Sequence, residues 1–133
     1  MTEAHLLTDL QMAIMRVLWD RGHASAAEIC EALRPDRGLA LSTVATLLTR
    51  LEKRGVVKHE TRSRQYVYYP AVTEPEVRRT MVSELTERLF DGDVAALMSH
   101  LLTAREMSEG DLARVRRMIE AHEAGQEASD DDR

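Results

Sequence analysis

Residues 41–70 read LSTVATLLTRLEKRGVVKHETRSRQYVYYP, and two different periodicities meet within this stretch. In its first part the apolar residues recur at helical spacing, Ser42 is placed to cap the helix, and Gly55 is typical of the residue just past a C-terminus. The apolar stripe of this helix consists of Val44, Leu47, Leu48 and Leu51. In the second part, β-branched and aromatic residues on either side of Arg62–Gln65 predict a β-hairpin with a polar loop, which Pro70 closes.

Two further helices are predicted upstream of this stretch. Thr8 and Gln11 have the spacing of a capping box, and Ser25 and Glu28 repeat that spacing before a short apolar helix. The segment 35–38, PDRG, then breaks the chain into a turn. Helix, helix, helix, hairpin is the order of a winged helix-turn-helix domain, so we expect a mainly α fold with a small β-hairpin wing.

Helical patterns return after residue 71 and end before an acidic tail. We expect a winged helix-turn-helix DNA-binding domain over 1–71, a helical dimerisation region over 72–124 and a disordered tail over 125–133. A helical region of about 50 residues has little volume in which to bury its own apolar stripes, so we expect a second copy to cover them. The alternative is that these helices pack on the winged domain of their own chain. The predicted dimerisation residues are Val77, Met81, Leu85, Leu89, Leu97, Leu101, Leu112, Val115 and Ile119.

The net charge of −5 hides two halves of opposite sign. Residues 1–72 contain ten basic and eight acidic residues, whereas residues 73–133 contain eight basic and fifteen acidic ones. The stretch 50–64 alone contains six basic residues and two acidic ones. Because salt screens charges beyond about 10 Å, a phosphate backbone responds to this local excess rather than to the net charge.

The outward face of the third helix carries hydroxyls and cations. A helix that enters a major groove needs short polar side chains toward the base edges and long cations toward the phosphates. The hairpin tip adds two arginines that can reach phosphates. The predicted DNA-binding residues are Ser42, Thr43, Thr46, Thr49, Arg50, Lys53, Arg62 and Arg64. Taken singly, the helix also fits an ordinary surface helix and the hairpin a solvated turn; their order and spacing together favour DNA binding.

Composition and motifs argue against an enzyme. The five histidines are scattered, with no closely spaced pair and no cysteine partner, and no catalytic or phosphate-binding motif is present. We therefore predict neither metal nor cofactor. The single cysteine, Cys30, forms no intrachain disulfide, and the sequence contains neither a secretory signal nor a stretch of about 20 apolar residues, so we expect a cytoplasmic protein outside the membrane.

From about Leu7 to Ala121 the chain resembles the penicillinase-repressor family, also called BlaI/MecI/CopY. The best-matching stretches are LTDLQMAIMRVLWDRG, LSTVATLLTRLEKRGVVK and LFDGDVAALMSHL. The resemblance implies a homodimeric winged-helix repressor that binds inverted repeats of TACA/TGTA half-sites and controls resistance genes. It further implies base-reading roles for Ser42, Thr43 and Thr46, and DNA-backbone roles for Arg50, Lys53, Arg62 and Arg64.

Two branches of that family differ in the signal that releases the repressor from DNA. The copper-responsive branch carries a cysteine-rich C-terminal motif, which the tail EAGQEASDDDR lacks. In the β-lactam branch, a membrane sensor-protease leads to cleavage at an Asn-Phe bond in a C-terminal helix. The matching positions here are His100 and Leu101, so the residue after the bond stays apolar and the Asn is absent. The resemblance therefore implies a sensor-protease as partner and the His100–Leu101 bond as the candidate cleavage site.

Two other function classes remain open at this point. One is a regulator gated by a small molecule that binds between the domains, although an aromatic content of 4% and the absence of a polar cluster leave no marked pocket. The other is a protein-interaction module without specific DNA binding, which would not need the basic face. A steep salt dependence of binding distinguishes DNA recognition from both.

Overall fold

A computed structural model describes residues 6–131 of the chain, with side chains described through residue 126. It is mainly helical with one small antiparallel sheet, as the sequence predicts. The elements are α1 (Asp9–Arg21), β1 (Ala24–Ser25), α2 (Ala26–Leu33), α3 (Leu41–Lys53), β2 (Val57–Arg62), β3 (Gln65–Pro70), α4 (Glu74–Phe90), α5 (Val94–Thr103) and α6 (Glu109–Asp131). The chain forms two compact units, one ending at Leu85 and the other beginning at Thr86, so that α4 spans the division.

Reciprocal capping boxes start the first two helices, as predicted. The Gln11 backbone N–H donates to Thr8 Oγ1 at 3.2 Å, and the Thr8 N–H donates to Gln11 Oε1 at 3.0 Å. Ser25 and Glu28 exchange the same pair of bonds at 3.2 and 2.9 Å. Each box satisfies two backbone donors that the helix itself leaves without partners.

The start of α3 differs from the prediction. Its N-cap is Ala40, so Ser42 lies inside the first turn and does not cap the helix. The path of the chain into α3 is set by Leu39, which packs against the core and whose carbonyl oxygen accepts a bond from the Cys30 thiol at 3.0 Å. This contact fixes the chain just before α3, so that the helix begins ahead of Ser42 and the Ser42 hydroxyl does not act as the N-cap.

The end of α3 turns the chain directly into the sheet. Gly55 has φ +80°, and its N–H donates to the Glu52 carbonyl at 3.0 Å while the Val56 N–H donates to Leu51 at 2.9 Å. These two bonds form a Schellman motif, which requires a left-handed residue at the position of Gly55. The predicted C-terminal glycine is therefore confirmed, and β2 begins two residues later.

The wing is the hairpin of β2 and β3, and its strands are longer than predicted. The register pairs Val57 with Pro70 and Arg62 with Gln65. The expected loop Arg62–Gln65 is therefore wrong at both ends, since only Ser63 and Arg64 lie outside the strands. Their φ values of +50° and +67° are those of a type I′ turn, which matches the twist of the flanking strands.

A third strand, β1, was not predicted. It has only two residues and pairs with β3 on the side away from β2, with Ala24 opposite Tyr68. Two residues are too few for a periodicity to appear in the sequence. Their strand geometry comes from pairing with a segment far along the chain.

The core of the first unit lies between its helices and the sheet. Its completely or almost completely buried apolar residues are Ile14, Met15, Leu18, Ala24, Ile29, Val44, Leu48, Leu51, Val56, Val57 and Val77. Val77 comes from α4, and Met81 packs against the same core. The Trp19 indole Nε1–H donates to the Val72 carbonyl at 2.9 Å. The winged unit therefore extends past the expected boundary at residue 71, because the first half of α4 completes its core.

In the second unit, caps again define the helices. Asp93 Oδ1 accepts from the Ala96 N–H at 3.1 Å, and Ser108 and Asp111 exchange two bonds at 3.1 Å. Helix α6 continues to Asp131, whereas the sequence predicts disorder from Gly125 onward. The segment from Ala124 to Ala128 is rich in good helix formers, which favours continuation of α6. Residues 132–133 of the expected tail lie outside the described residues.

Candidate nucleic-acid interface

The outer face of α3 carries all of its predicted DNA-binding side chains. The opposite face is anchored by Val44, Leu48 and Leu51, each with no exposed surface. This anchoring fixes the rotation of the helix, so that hydroxyls and cations point to solvent. The exposed residues of this face are Ser42, Thr43, Thr46, Thr49, Arg50 and Lys53.

A shallow depression of about 230 Å³ lies on this face. It is lined by Ser42, Thr43, Thr46, Leu47 and Arg50. Leu47 is half-buried, whereas the sequence pattern assigns it to the apolar stripe rather than to the recognition face. Only the true rotation of α3 reveals that its side chain reaches both surfaces. Leu47 thus adds an apolar patch among polar groups.

The threonine hydroxyls of this face are oriented by the helix backbone. Thr46 Oγ1 donates to the Ser42 carbonyl at 2.9 Å, and Thr49 Oγ1 donates to the Ala45 carbonyl at 3.0 Å. A hydroxyl has one proton and two acceptor lone pairs. Each oxygen therefore offers its lone pairs to a ligand while its proton remains on the helix.

Two cations lie in the last turn of α3. Arg50 and Lys53 face solvent, and neither side chain has an ion-pair or hydrogen-bond partner within the part of the chain that the structure describes. Their positive charges are available to an anion without a protein pair having to break. A phosphate oxygen is the natural partner of such groups.

The wing carries both predicted arginines at its tip, but one of them has a neighbouring acid. Arg64 is exposed in the turn, and Arg62 Nε donates to Glu60 Oε2 at 3.0 Å. About half of each partner's side chain is solvent-exposed, so this ion pair contributes little to stability. The predicted hairpin did not include this ion pair between Glu60 and Arg62.

A polar and aromatic cluster joins the base of the wing to α3. His59 Nδ1 on β2 lies 2.6 and 2.8 Å from the two carboxylate oxygens of Glu52 on α3. The imidazole stacks on Tyr66 of β3, with ring centroids 4.1 Å apart and an interplanar angle of 20°. We call Glu52, His59 and Tyr66 the wing-root cluster. Beside it, burial raises the pKa of Tyr68, and the Glu52 charge adds to that rise.

Over residues 7–121, the sequence matches the profile of the penicillinase repressor family. The chain belongs to this family. Penicillinase repressors are DNA-binding transcriptional repressors and not enzymes, which confirms the predicted class of protein. The winged-helix architecture described above agrees with that membership.

Individual relatives have low sequence identity to this chain, but the alignments cover most of both chains. The methicillin resistance regulatory protein MecI of Mammaliicoccus sciuri is 21% identical, over 85% of this chain and 92% of the relative. The penicillinase repressor of Bacillus licheniformis is 22% identical, over 87% of this chain and 91% of the relative. The crystal structure of a mutant MarR from E. coli, complexed with operator DNA, aligns with a TM-score of 0.51 at 11% identity, over 90% of this chain and 78% of that one. That last similarity shows the fold alone.

The first unit of this penicillinase-repressor chain has a larger groove away from the recognition face. Its volume is about 860 Å³, and it is bordered by α1, the end of α2 and the start of α4. The charged residues of its lining are Arg16, Asp20, Arg21, Asp36, Arg37 and Glu74. Three cations and three acids line it, so the groove favours neither sign of ligand. A thermal-shift screen would test the alternative of a regulator gated by a small molecule.

Neither a metal cluster nor a membrane-spanning helix occurs in the described part of the chain. Residues 6–131 contain no group of three or more His, Cys, Asp or Glu side chains that could hold a metal ion. Within that same span, every helix is too short or too polar to cross a bilayer.

Proposed function

We propose that this penicillinase-repressor chain binds an inverted-repeat operator as a homodimer in the cytoplasm. Helix α3 enters the major groove, and the wing binds the flanking DNA backbone. The observation that carries the proposal is the solvent-facing side of α3, on which Arg50 and Lys53 have no partner among the described residues and lie beside a row of hydroxyls. Such a face suits a groove lined by base edges and phosphates.

Resemblance to the family supports the choice of operator and target. TACA/TGTA-type half-sites contain adenine and thymine edges, which short polar and apolar side chains such as Thr46 and Leu47 can contact. The relatives from Mammaliicoccus sciuri and Bacillus licheniformis are named for methicillin resistance and penicillinase. We therefore propose that this chain controls a resistance or stress operon.

Dimerisation is proposed for the second unit and the end of α4. Helix α5 has no buried residue, and Leu89 and Ile119 are 69% and 49% exposed. Apolar surface of this extent marks an interaction site. Val77 and Met81 are not included in the proposed interface, because they pack in the core of the first unit of their own chain. The proposed dimerisation residues are now Leu85, Leu89, Leu97, Leu101, Leu112, Val115 and Ile119, joined by the exposed Val94, Leu102 and Met118.

We propose that the repressor is released from its operator after a membrane sensor-protease cleaves the His100–Leu101 bond. That bond lies inside α5, and the His100 carbonyl accepts from the Ala104 N–H at 2.9 Å. A protease binds its substrate as an extended strand, so the last turns of α5 must open before cleavage. Mass spectrometry after incubation with a cognate sensor-protease tests this step, and an intact chain would count against it.

The operator proposal is tested by selecting DNA from a random-sequence pool with the full chain, followed by sequencing. We expect an inverted repeat in the selected pool, and we expect the Arg50→Ala variant to select the same motif with weaker enrichment. Affinity for the winning sequence should fall about a thousandfold between 50 and 200 mM salt if a dimer neutralises about six or more phosphates. A pool that remains random would refute specific recognition.

A further inference from the structure

The wing-root cluster joins β2 to α3 through the contact between His59 and Glu52. His59 is half-buried, with 29% of its side chain exposed, whereas every residue from Glu60 to Tyr66 is exposed. One step further, Glu60 pairs with Val67, which also pairs with Ser25 of β1, and from Thr61 to Tyr66 the strands pair only with each other. The orientation of the wing tip therefore depends on the pairing of β3 with β1 and on how firmly β2 is fixed at His59.

Two different interactions fix His59 in place. Because a carboxylate only accepts, the imidazole Nδ1–H donates to Glu52, whose two oxygens lie 2.6 and 2.8 Å away. The flat side of the ring stacks on Tyr66, and Tyr66 in turn meets Tyr68 edge-on at 6.3 Å. One ring thus connects α3, β2 and β3.

We propose that Glu52 and His59 are positioning residues that hold the wing at the angle where Arg62 and Arg64 reach the DNA backbone. This inference rests on the proposed DNA-binding function. It assigns a task to the one acidic residue of α3, which lies beside Lys53 and would otherwise repel phosphate.

The length of the wing beyond His59 sets the size of the effect. Arg62 is three residues beyond His59, or about 10 Å along the strand. A swing of about 20° at His59 moves the tip by about 3.5 Å, which exceeds the tolerance of a charge-assisted hydrogen bond. The arginines of a loosened wing would therefore no longer reach the phosphates, even though the strand pairing within the wing stays intact.

The sign of one substitution separates this proposal from simple electrostatics. Removal of an acid near DNA ordinarily tightens binding, and we expect that result for Glu60→Ala on the wing. We expect the opposite for Glu52→Ala, an affinity about tenfold weaker, because the released wing no longer binds phosphate at either half-site. His59→Phe keeps a ring for Tyr66 and removes the donor, so it should weaken binding similarly. His23→Phe, at an exposed histidine outside the wing, is the matched control and should bind as the wild type does.

The experiment measures affinity for the selected operator over a range of salt concentrations, with thermal melting of each variant to establish folding. The decisive comparison adds His59→Phe to the double variant Arg62→Ala/Arg64→Ala. We expect the triple variant to bind within about twofold of the double variant, since the arginines that His59 positions are already absent from both. The log–log salt slope should fall by about 0.9 for each phosphate that is no longer bound, in His59→Phe and in the arginine variant alike.

Three results would overturn the proposal. They are tighter binding by Glu52→Ala, a His59→Phe effect that adds in full to the effect of the arginine pair, and an arginine-pair variant that binds as the wild type does. If His59→Phe fails to fold, the sign of the Glu52→Ala effect still decides. A wild-type chain that binds no specific DNA would instead refute the proposed function itself.

Discussion

Thr46 donates its hydroxyl proton to the backbone carbonyl of Ser42 at 2.9 Å, one turn earlier in α3. The bond leaves the Thr46 oxygen with lone pairs only, so toward DNA it acts as an acceptor. In the major groove, the donors are the amino groups of adenine and cytosine. The geometry therefore favours an amino-bearing base opposite Thr46.

Substitution of Thr46 by valine tests this polarity. Valine keeps the shape and removes the acceptor, so we expect operator affinity to fall by about 1–2 kcal/mol per half-site. Thr46→Ser retains the oxygen and should weaken binding less. Affinities measured on an operator with purine in place of the contacted adenine, which lacks the amino group, should no longer distinguish Thr46 from valine. Equal effects on both operators would show that Thr46 does not read that group.

The two cations in the last turn of α3 should act through phosphates. Arg50→Ala and Lys53→Ala should each weaken binding to all sequences and lower the salt slope by about 0.9 for each phosphate that is no longer bound. Arg16→Ala, at an exposed arginine of α1, serves as the control of equal charge change. If the slopes of all three variants equal that of the wild type, Arg50 and Lys53 do not bind phosphate.

Gly55 sets the turn from α3 into the wing. An added Cβ would meet nothing within 4 Å, so the cost of Gly55→Ala comes only from its φ of +80°. We expect the free energy of unfolding to fall by about 1 kcal/mol, measured by urea denaturation. Gly38→Ala also meets open space, but without a left-handed φ, and should be close to neutral. Equal effects at the two positions would contradict the assigned strain.

The capping box of Ser25 and Glu28 should make the stability of the fold depend on pH. Hydrogen bonds from the Ser25 backbone N–H and side chain hold the pKa of Glu28 below its ordinary value. A lowered folded-state pKa means that the charged carboxylate stabilises the fold above the ordinary pKa, and that this contribution disappears as pH falls through the lowered one. The melting-temperature advantage of the wild type over Glu28→Gln should therefore shrink between about pH 6 and about pH 3. A constant difference would argue against the carboxylate.

The proposed dimer can be tested on α6. Ile119 is 49% exposed on a helix that carries an apolar stripe. A charge at a buried interface position costs several kcal/mol, so Ile119→Asp should shift the sedimentation coefficient from dimer to monomer. Arg117→Asp, at an exposed position on the opposite side of the same helix, should leave the dimer intact. A dimer that survives Ile119→Asp would exclude this face from the interface.

Features that depend on neighbouring residues could be predicted from the sequence. The capping boxes at Thr8 and Ser25 and the turn at Gly55 depend on side chains and φ preferences within a few positions. The hydroxyl-and-cation face of α3 follows from helical periodicity alone. For these features the local pattern and the tertiary structure agree.

Features that depend on distant residues could not be predicted. Ala24 becomes a strand only because Tyr68 pairs with it, and Val77 belongs to the winged unit because the core there is incomplete without it. His59 looked like one of several scattered histidines, since nothing in the sequence places it against Glu52. The start of α3 was missed because a contact between two residues outside the helix, Leu39 and Cys30, fixes it.

Footprinting on DNA from upstream of the gene that encodes this chain tests whether α3 binds an operator sequence-specifically. We expect a protected site with two-fold symmetry, and weaker protection at equal concentration by Arg50→Ala and Thr46→Ala variants that remain folded. Protection of no site at moderate salt, or protection without regard to sequence, would refute specific binding through α3.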